Sequence, residues 1–155
     1  MRITLIAVGR LRAGPEADLV ADYLDRFARA GRNLGLPPVS VVEIDDRQSR
    51  SMADAAARIT RALPDRAALV VLDERGRMLT SPDLADHLAG WRDAGRDVAR
   101  VIGGAGGLDP GLRQRADLVI SLGRMVWPHM LVRVMLAEQL YRATTILAGT
   151  PYHRN

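Results

Sequence analysis

The run Val98-Ala99-Arg100-Val101-Ile102 leads straight into Gly103-Gly104-Ala105-Gly106-Gly107, an apolar, β-branched segment ending in four glycines out of five residues. A short apolar run bounded by glycine reads as a buried strand with a loop at its carboxyl end. Working outward from it, the same kind of run recurs at Ile3–Val8, Val39–Ile44, 67–72 and Leu118–Ser121, each followed by a longer stretch of helical character. The intervening helices are expected over 15–29, 51–63 and Ser81–Asp93. The last opens with Ser81 at the cap and Pro82 at the first helical position, and its Leu84, Leu88 and Trp91 recur at helical spacing as a stripe packed on a sheet. A final helix is expected over 130–147, followed by a short polar tail, 149–155. Strands separated by helices cannot pair as hairpins. The pattern therefore predicts an α/β fold: an open, mostly parallel five-stranded sheet with helices on both faces. At 155 residues the chain has material for one ordinary core, so 1–155 is read as a single domain.

Composition narrows the chemistry. The apolar runs reach only about six residues against the roughly 20 needed to cross a bilayer, and the chain opens on a strand-like pattern rather than a cleavable signal. The expectation is a soluble, cytoplasmic protein without membrane association. There are no cysteines, which removes disulfides, thiolate zinc sites and cysteine nucleophiles, and with only three histidines no metal site is expected. All 22 basic residues are arginine. Their distribution is uneven: residues 1–109 hold 16 arginines and 16 acids, whereas 110–155 hold six arginines against Asp117 and Glu138, so the net +4 lies in the last third. Clustered guanidinium groups suit a phosphate-bearing partner, whose counterions they displace.

Open parallel sheets bind ligands beyond the carboxyl ends of their strands. Two loops there are unusual. The glycine loop 103–107 has bare backbone amides that let a flat or charged ligand approach, although such a cluster also suits a tight structural turn. It lacks regular G-x-G-x-x-G spacing and follows the fourth strand rather than the first, and no lysine is present for a phosphate-binding loop. The second loop, Leu122-Gly123-Arg124-Met125-Val126-Trp127-Pro128-His129, is apolar where a solvated loop would be polar. It either packs in a core or subunit interface or walls a pocket for an adenine-like ring.

Several segments together resemble one family. These are Ile6-Ala7-Val8-Gly9, Leu72-Asp73-Glu74-Arg75-Gly76, Val101-Ile102 running through the glycine loop to Leu108, Pro128-His129-Met130-Leu131-Val132-Arg133-Val134, Ala137-Glu138-Gln139-Leu140-Tyr141-Arg142-Ala143, and the ending Pro151-Tyr152-His153-Arg154. Over essentially its whole length the chain resembles the RlmH-type methyltransferases of the SPOUT superfamily, which methylate N3 of a pseudouridine in large-subunit (23S) ribosomal RNA. The resemblance implies a C-terminal trefoil knot, which periodicity alone never suggests. It also implies a homodimer with S-adenosylmethionine bound between subunits, and the ribosome as partner. By the same resemblance Leu72, Gly103, Leu122, Gly123, Arg124, Met125, Val126 and Trp127 contact the cofactor, and Gly104 and Gly106 shape its pocket. His129, Arg133 and His153 are implied as catalytic, and Arg142, Tyr152, His153 and Arg154 as RNA-binding.

The implied reaction requires an imide N–H to lose its proton beside a methyl donor, so a base is expected. His129 and His153 are the side chains whose ordinary titration range suits that task, while the arginines suit phosphate or developing negative charge. Glu138 and Arg142, four apart on one helix, also read as a simple intrahelical ion pair. The tail is expected to serve RNA rather than folding, because aromatic and imidazole groups in an exposed segment stack on unpaired bases. Two other classes fit parts of the pattern: a nucleotide-dependent enzyme, which needs an ordered phosphate fingerprint after the first strand where Gly9-Arg10-Leu11-Arg12 stands, and a non-catalytic ribosome-binding module, which needs no cofactor loops.

Overall fold

A computed structural model describes residues 1–154. Five strands, β1 (Ile3–Val8), β2 (Val39–Ile44), β3 (Ala68–Met78), β4 (Val98–Ile102) and β5 (Leu118–Ser121), form one sheet in the order β2-β1-β4-β3-β5. Every neighbouring pair is parallel. Helices α1 (Pro15–Gly31), α3 (Ser81–Asp93) and α5 (His129–Ala148) cover one face, where Phe27, Leu88, Leu136 and Leu140 meet Leu5 and Ile102. On the other face α2 (Met52–Ala62) and α4 (Pro110–Arg115) place Ile59 and Leu112 against Ile6, Val71 and Val101. Covered on both sides, β1 and β4 are buried at every position, which is why their sequences read as apolar runs, broken only by Thr4 and Arg100, rather than as alternating ones.

Some boundaries differ from those expected. The α3 cap is Thr80, not Ser81: the Thr80 hydroxyl accepts from the Asp83 amide while the Asp83 carboxylate accepts from the Thr80 amide, a reciprocal box that outcompetes a lone serine. Helix α4 was not anticipated, since six residues carry too little periodicity to show; Asp109 caps it and Pro110 opens it. The segment Leu72-Asp73-Glu74-Arg75-Gly76, which looks like a turn, lies inside an extended β3. Leu72 and Arg77 both take Ile120 as partner, so β3 bulges over 73–76 and returns to the same rung of β5. Gly76 makes that return possible: a Cβ there falls 2.6–2.7 Å from the backbone of Ile120 and Val119.

One core residue stands out among the buried polar ones. Arg100, central in β4, is 1 % exposed, and among the described residues none of its three guanidinium nitrogens has a hydrogen-bond partner. The Trp91 ring lies 5.9 Å from the guanidinium carbon and can accommodate its charge. Desolvation pulls its pKa down to about 10.

Candidate active site

The carboxyl ends of β3, β4 and β5 open into a cavity of about 530 Å³. Its floor and sides come from Leu72 where β3 begins to bulge, Ile102 at the end of β4, the glycine loop 103–107, and the β5–α5 loop, with His129 at the first position of α5. Leu72, Gly103, Gly104, Gly106, Leu122, Gly123, Met125, Val126 and Trp127 all line it. Arg124 does not; its side chain belongs to an exposed residue outside the lining. Sequence reasoning missed the polar part of the wall, Asp73, Glu74 and Arg113. Asp73, with its side chain only 9 % exposed, is held by Arg113 at 3.2 Å and Arg75 at 3.7 Å. A carboxylate in the middle of what looked like a turn was the available signal.

The glycines do different jobs. At Gly106 and Gly123 a Cβ meets no atom within 4 Å, so the backbone borders open space, and Gly123 adopts φ +119°. At Gly104 a Cβ falls 3.1 Å from Val8 Cγ1, which makes packing against β1 the reason for glycine there rather than ligand clearance.

His129 enters the cavity wall through the start of α5. That start has no side-chain cap and no acid in its first turn. It is held by tertiary contacts one turn on: Arg133, 2 % exposed, donates from Nη1 to Glu43 Oε2 at 2.6 Å and from Nη2 to the Gly9 carbonyl at 3.1 Å. Arg133 is thus brought near His129 along the helix, yet it is absent from the cavity lining and spends both terminal nitrogens on partners in the interior.

The tail does not hang free of the fold. Tyr152 donates its hydroxyl to Glu138 Oε1 at 3.0 Å and packs edge-on against Tyr141, with Arg142 stacked 4.8 Å over its ring. Arg142 binds Glu138 at 2.6 Å and lies 3.3 Å from His153 Nδ1. The ion pair expected at this spacing exists, but as the hub of a cluster that docks the tail on α5. Desolvation, then the bond to Glu138, pushes the Tyr152 hydroxyl up to about 12, so it stays protonated at neutral pH. Arg154 is exposed, and Asn155 lies outside the described residues. Thirteen helical positions separate His129 from Arg142, about 20 Å at a 1.5 Å rise, so this cluster and the cavity of the same chain are far apart.

Apolar surface surrounds both places. Met125 and Val126 are 72 % and 83 % exposed, and Met130 and Leu131 continue the patch onto α5. A second cavity of about 540 Å³ lies across the Leu122–Gly123 backbone from the first, between Leu19 and Tyr23 of α1, Met78 of β3, Leu84 of α3 and Met135 of α5. Among the described residues no group of acids and histidines is placed to hold a metal ion, and no helix is long and apolar enough to cross a membrane.

A parallel sheet whose strand ends carry a glycine loop and an apolar loop into one cavity is the framework of a nucleoside-binding transferase, and a family profile described as "Predicted SPOUT methyltransferase" matches residues 1–153. The chain belongs to that family. Membership implies the knotted C-terminal segment, while the five-stranded parallel sheet is observed directly. Similar proteins include the "Ribosomal RNA large subunit methyltransferase H" of Paracoccus denitrificans, 70% identical over 154 residues covering 99% of each chain. The protein of the same name from Roseobacter denitrificans is 68% identical over 156 residues, covering 100% of each. Among solved structures, a probable methylase family protein from Haemophilus influenzae superposes with a TM-score of 0.52 at 15% identity, covering 99% of this chain and 70% of that one, a likeness of fold.

Proposed function

We propose that this protein is a single-domain methyltransferase of the cytoplasm that uses S-adenosylmethionine to methylate N3 of a pseudouridine in large-subunit ribosomal RNA. The observation that carries the reading is the convergence on one cavity of nine of the ten residues implied as contacting the cofactor or shaping its pocket, in a chain 70% identical to a protein named as a ribosomal RNA large subunit methyltransferase. A volume of about 530 Å³ lies within the 300–1,000 Å³ usual for such ligands. Leu72, Ile102, Leu122 and Val126 offer apolar faces to an adenine ring, and the Asp73 and Glu74 carboxylates suit ribose hydroxyls and a positively charged sulfur. Bound there, the cofactor supplies a methyl group activated by the sulfonium.

The chain's own residues then have to orient a pseudouridine and remove its imide proton. His129 is assigned the proton, because it is the histidine on the cavity wall. The cluster of Arg142, Tyr152, His153 and Arg154 presents cationic and aromatic surface for RNA, yet α5 holds it about 20 Å from its own cavity. Two copies packed with their α5 helices antiparallel bring the tail of one to the cavity of the other, and such a homodimer also covers the exposed Met130 and Leu131 and the α1–α5 groove.

Titration calorimetry with S-adenosylmethionine and with NAD separates this reading from a nucleotide-dependent enzyme. Incubating radiolabelled cofactor with isolated ribosomes and digesting the RNA to nucleosides tests the rest: label in methylpseudouridine is expected, and cofactor binding without label transfer refutes the substrate.

A further inference from the structure

Glu43 is an acidic residue at the end of β2 that neither the sequence reading nor the cavity lining singles out. Its Oε2 accepts two hydrogen bonds from parts of the chain remote in sequence, the Leu11 amide at 2.7 Å and Arg133 Nη1 at 2.6 Å. Arg133 in turn reaches the Gly9 carbonyl at 3.1 Å, and the Gly9 amide bonds back to Ile44 beside Glu43 at 2.8 Å. The result is a closed ring of polar contacts joining the β1–α1 loop, the end of β2 and α5. Arg133 is the buried cation of the ring and Glu43 its more exposed counter-ion, and among the described residues the Arg133 Nε has no hydrogen-bond partner. A buried cation of this kind holds its place only while its counter-ion remains.

Two features link this ring to the cavity. Arg133 and His129 are four positions apart, so they share one face of α5 and move together. His129 also sits against the ring directly, since its Nε2 lies 3.8 Å from where a Gly9 Cβ would stand. Because the start of α5 has no side-chain cap, the tertiary contacts of Arg133 carry much of the work of fixing its first turn.

From this we infer that Glu43 is a positioning residue: through Arg133 it sets the place of the His129 imidazole on the cavity wall. The inference deepens the proposed function, on which its kinetic part rests. Replacing Glu43 with glutamine keeps an acceptor for the Leu11 amide but leaves Arg133 buried without a counter-ion, so the first turn of α5 shifts.

The test uses the full-length protein and three variants, Glu43→Gln, Glu43→Gln/Arg133→Met and Glu43→Gln/His129→Ala. Melting temperature, cofactor affinity, single-turnover methyl transfer to ribosomes and the His129 imidazole signals in carbon-13 NMR spectra are read for each. Glu43→Gln is expected to move the His129 signals and to lower kcat at least tenfold, with KM for ribosomes and cofactor affinity within about threefold. The Arg133→Met double variant is expected to regain melting temperature, because no buried charge is left uncompensated, but not kcat. In the His129→Ala background Glu43→Gln is expected to add no further loss. Unchanged His129 signals overturn the inference, as does recovery of kcat along with stability in the Arg133→Met double variant. If the signals move while kcat stays at its wild-type value, the positioning stands and it is the assignment of His129 as base that fails.

Discussion

Replacing Arg100 with methionine is expected to stabilise the protein, against the general rule that changes in a packed core cost stability. The residue is 1 % exposed with three nitrogens unpartnered among the described residues, and burial pulls its pKa down to about 10. At ~1.4 kcal/mol per pH unit that fall corresponds to about 3 kcal/mol of unfavourable burial at neutral pH. The Trp91 face at 5.9 Å returns part of it, about 1–2 kcal/mol for a desolvated pair. Methionine fills a similar elongated volume without a charge, so the expected net gain is about 1–2 kcal/mol, or roughly 3–8 °C in Tm for a chain of this size. The sign of the pH dependence provides a second check. A base whose folded pKa is depressed releases its proton first in the folded state, so wild-type stability rises as the pH climbs above about 10, and the variant lacks that rise. Scanning calorimetry at pH 7.5 and alkaline denaturant titrations measure both. A Tm lower than wild type by more than about 3 °C, or an alkaline rise that survives the substitution, refutes the argument and implies that Arg100 has a partner or a hydration path that offsets its burial.

Gly76→Ala should be among the most damaging single-methyl changes in the chain, costing about 3 kcal/mol or more because the added carbon meets backbone at 2.6–2.7 Å; soluble protein with a wild-type Tm counts against the double pairing of Ile120. Truncation before Tyr152 removes the Tyr141 contact and the Glu138 bond, so Tm should drop by a few degrees while methyl transfer falls roughly a hundredfold, about 2.7 kcal/mol; full activity in that variant excludes the tail from RNA binding. Burial tends to raise the Glu43 pKa, but the Leu11 amide and Arg133 outweigh it and hold the carboxyl below its usual 4.5, so it contributes stability above that pH and loses it on acidification. Urea titrations of Glu43→Gln between pH 3 and 7 should therefore show a shallower acid limb than wild type, and parallel curves would contradict the bond pattern.

Periodicity carried most of the architecture. Doubly covered strands such as β1 and β4 are mostly apolar runs, and the helices between strands favour parallel pairing. Strand order was not legible, because β-branched runs of similar length do not say which lies beside which. The extension of β3 was hidden for a local reason: Asp73, Glu74 and Arg75 have the composition of a turn, and only the distant Ile120 makes them a bulge. The two loops that line the cavity stood out as glycine and apolar residues in places where neither is ordinary. Asp73 and Glu43 did not, since an acid paired with Arg113 or Arg133 some 40 or 90 residues away has no signature in its own neighbourhood. The docking of the tail on α5 was hidden in the same way: its tyrosine is held by Glu138, and hydrogen bonds of that kind are invisible in composition.

The length of α5 has a consequence for inheritance of activity between subunits. In the homodimer proposed above, a 20-residue rod with a cavity at one end and the tail cluster near the other gives each centre two halves from different polypeptides. On that proposal, a population mixed equally from cavity-defective and tail-defective chains contains about half hybrid dimers, each with one intact centre, and is expected to recover about a quarter of wild-type turnover from two inactive parents. A cell making both defective chains is then expected to keep methyl transfer that a cell making either one alone lacks.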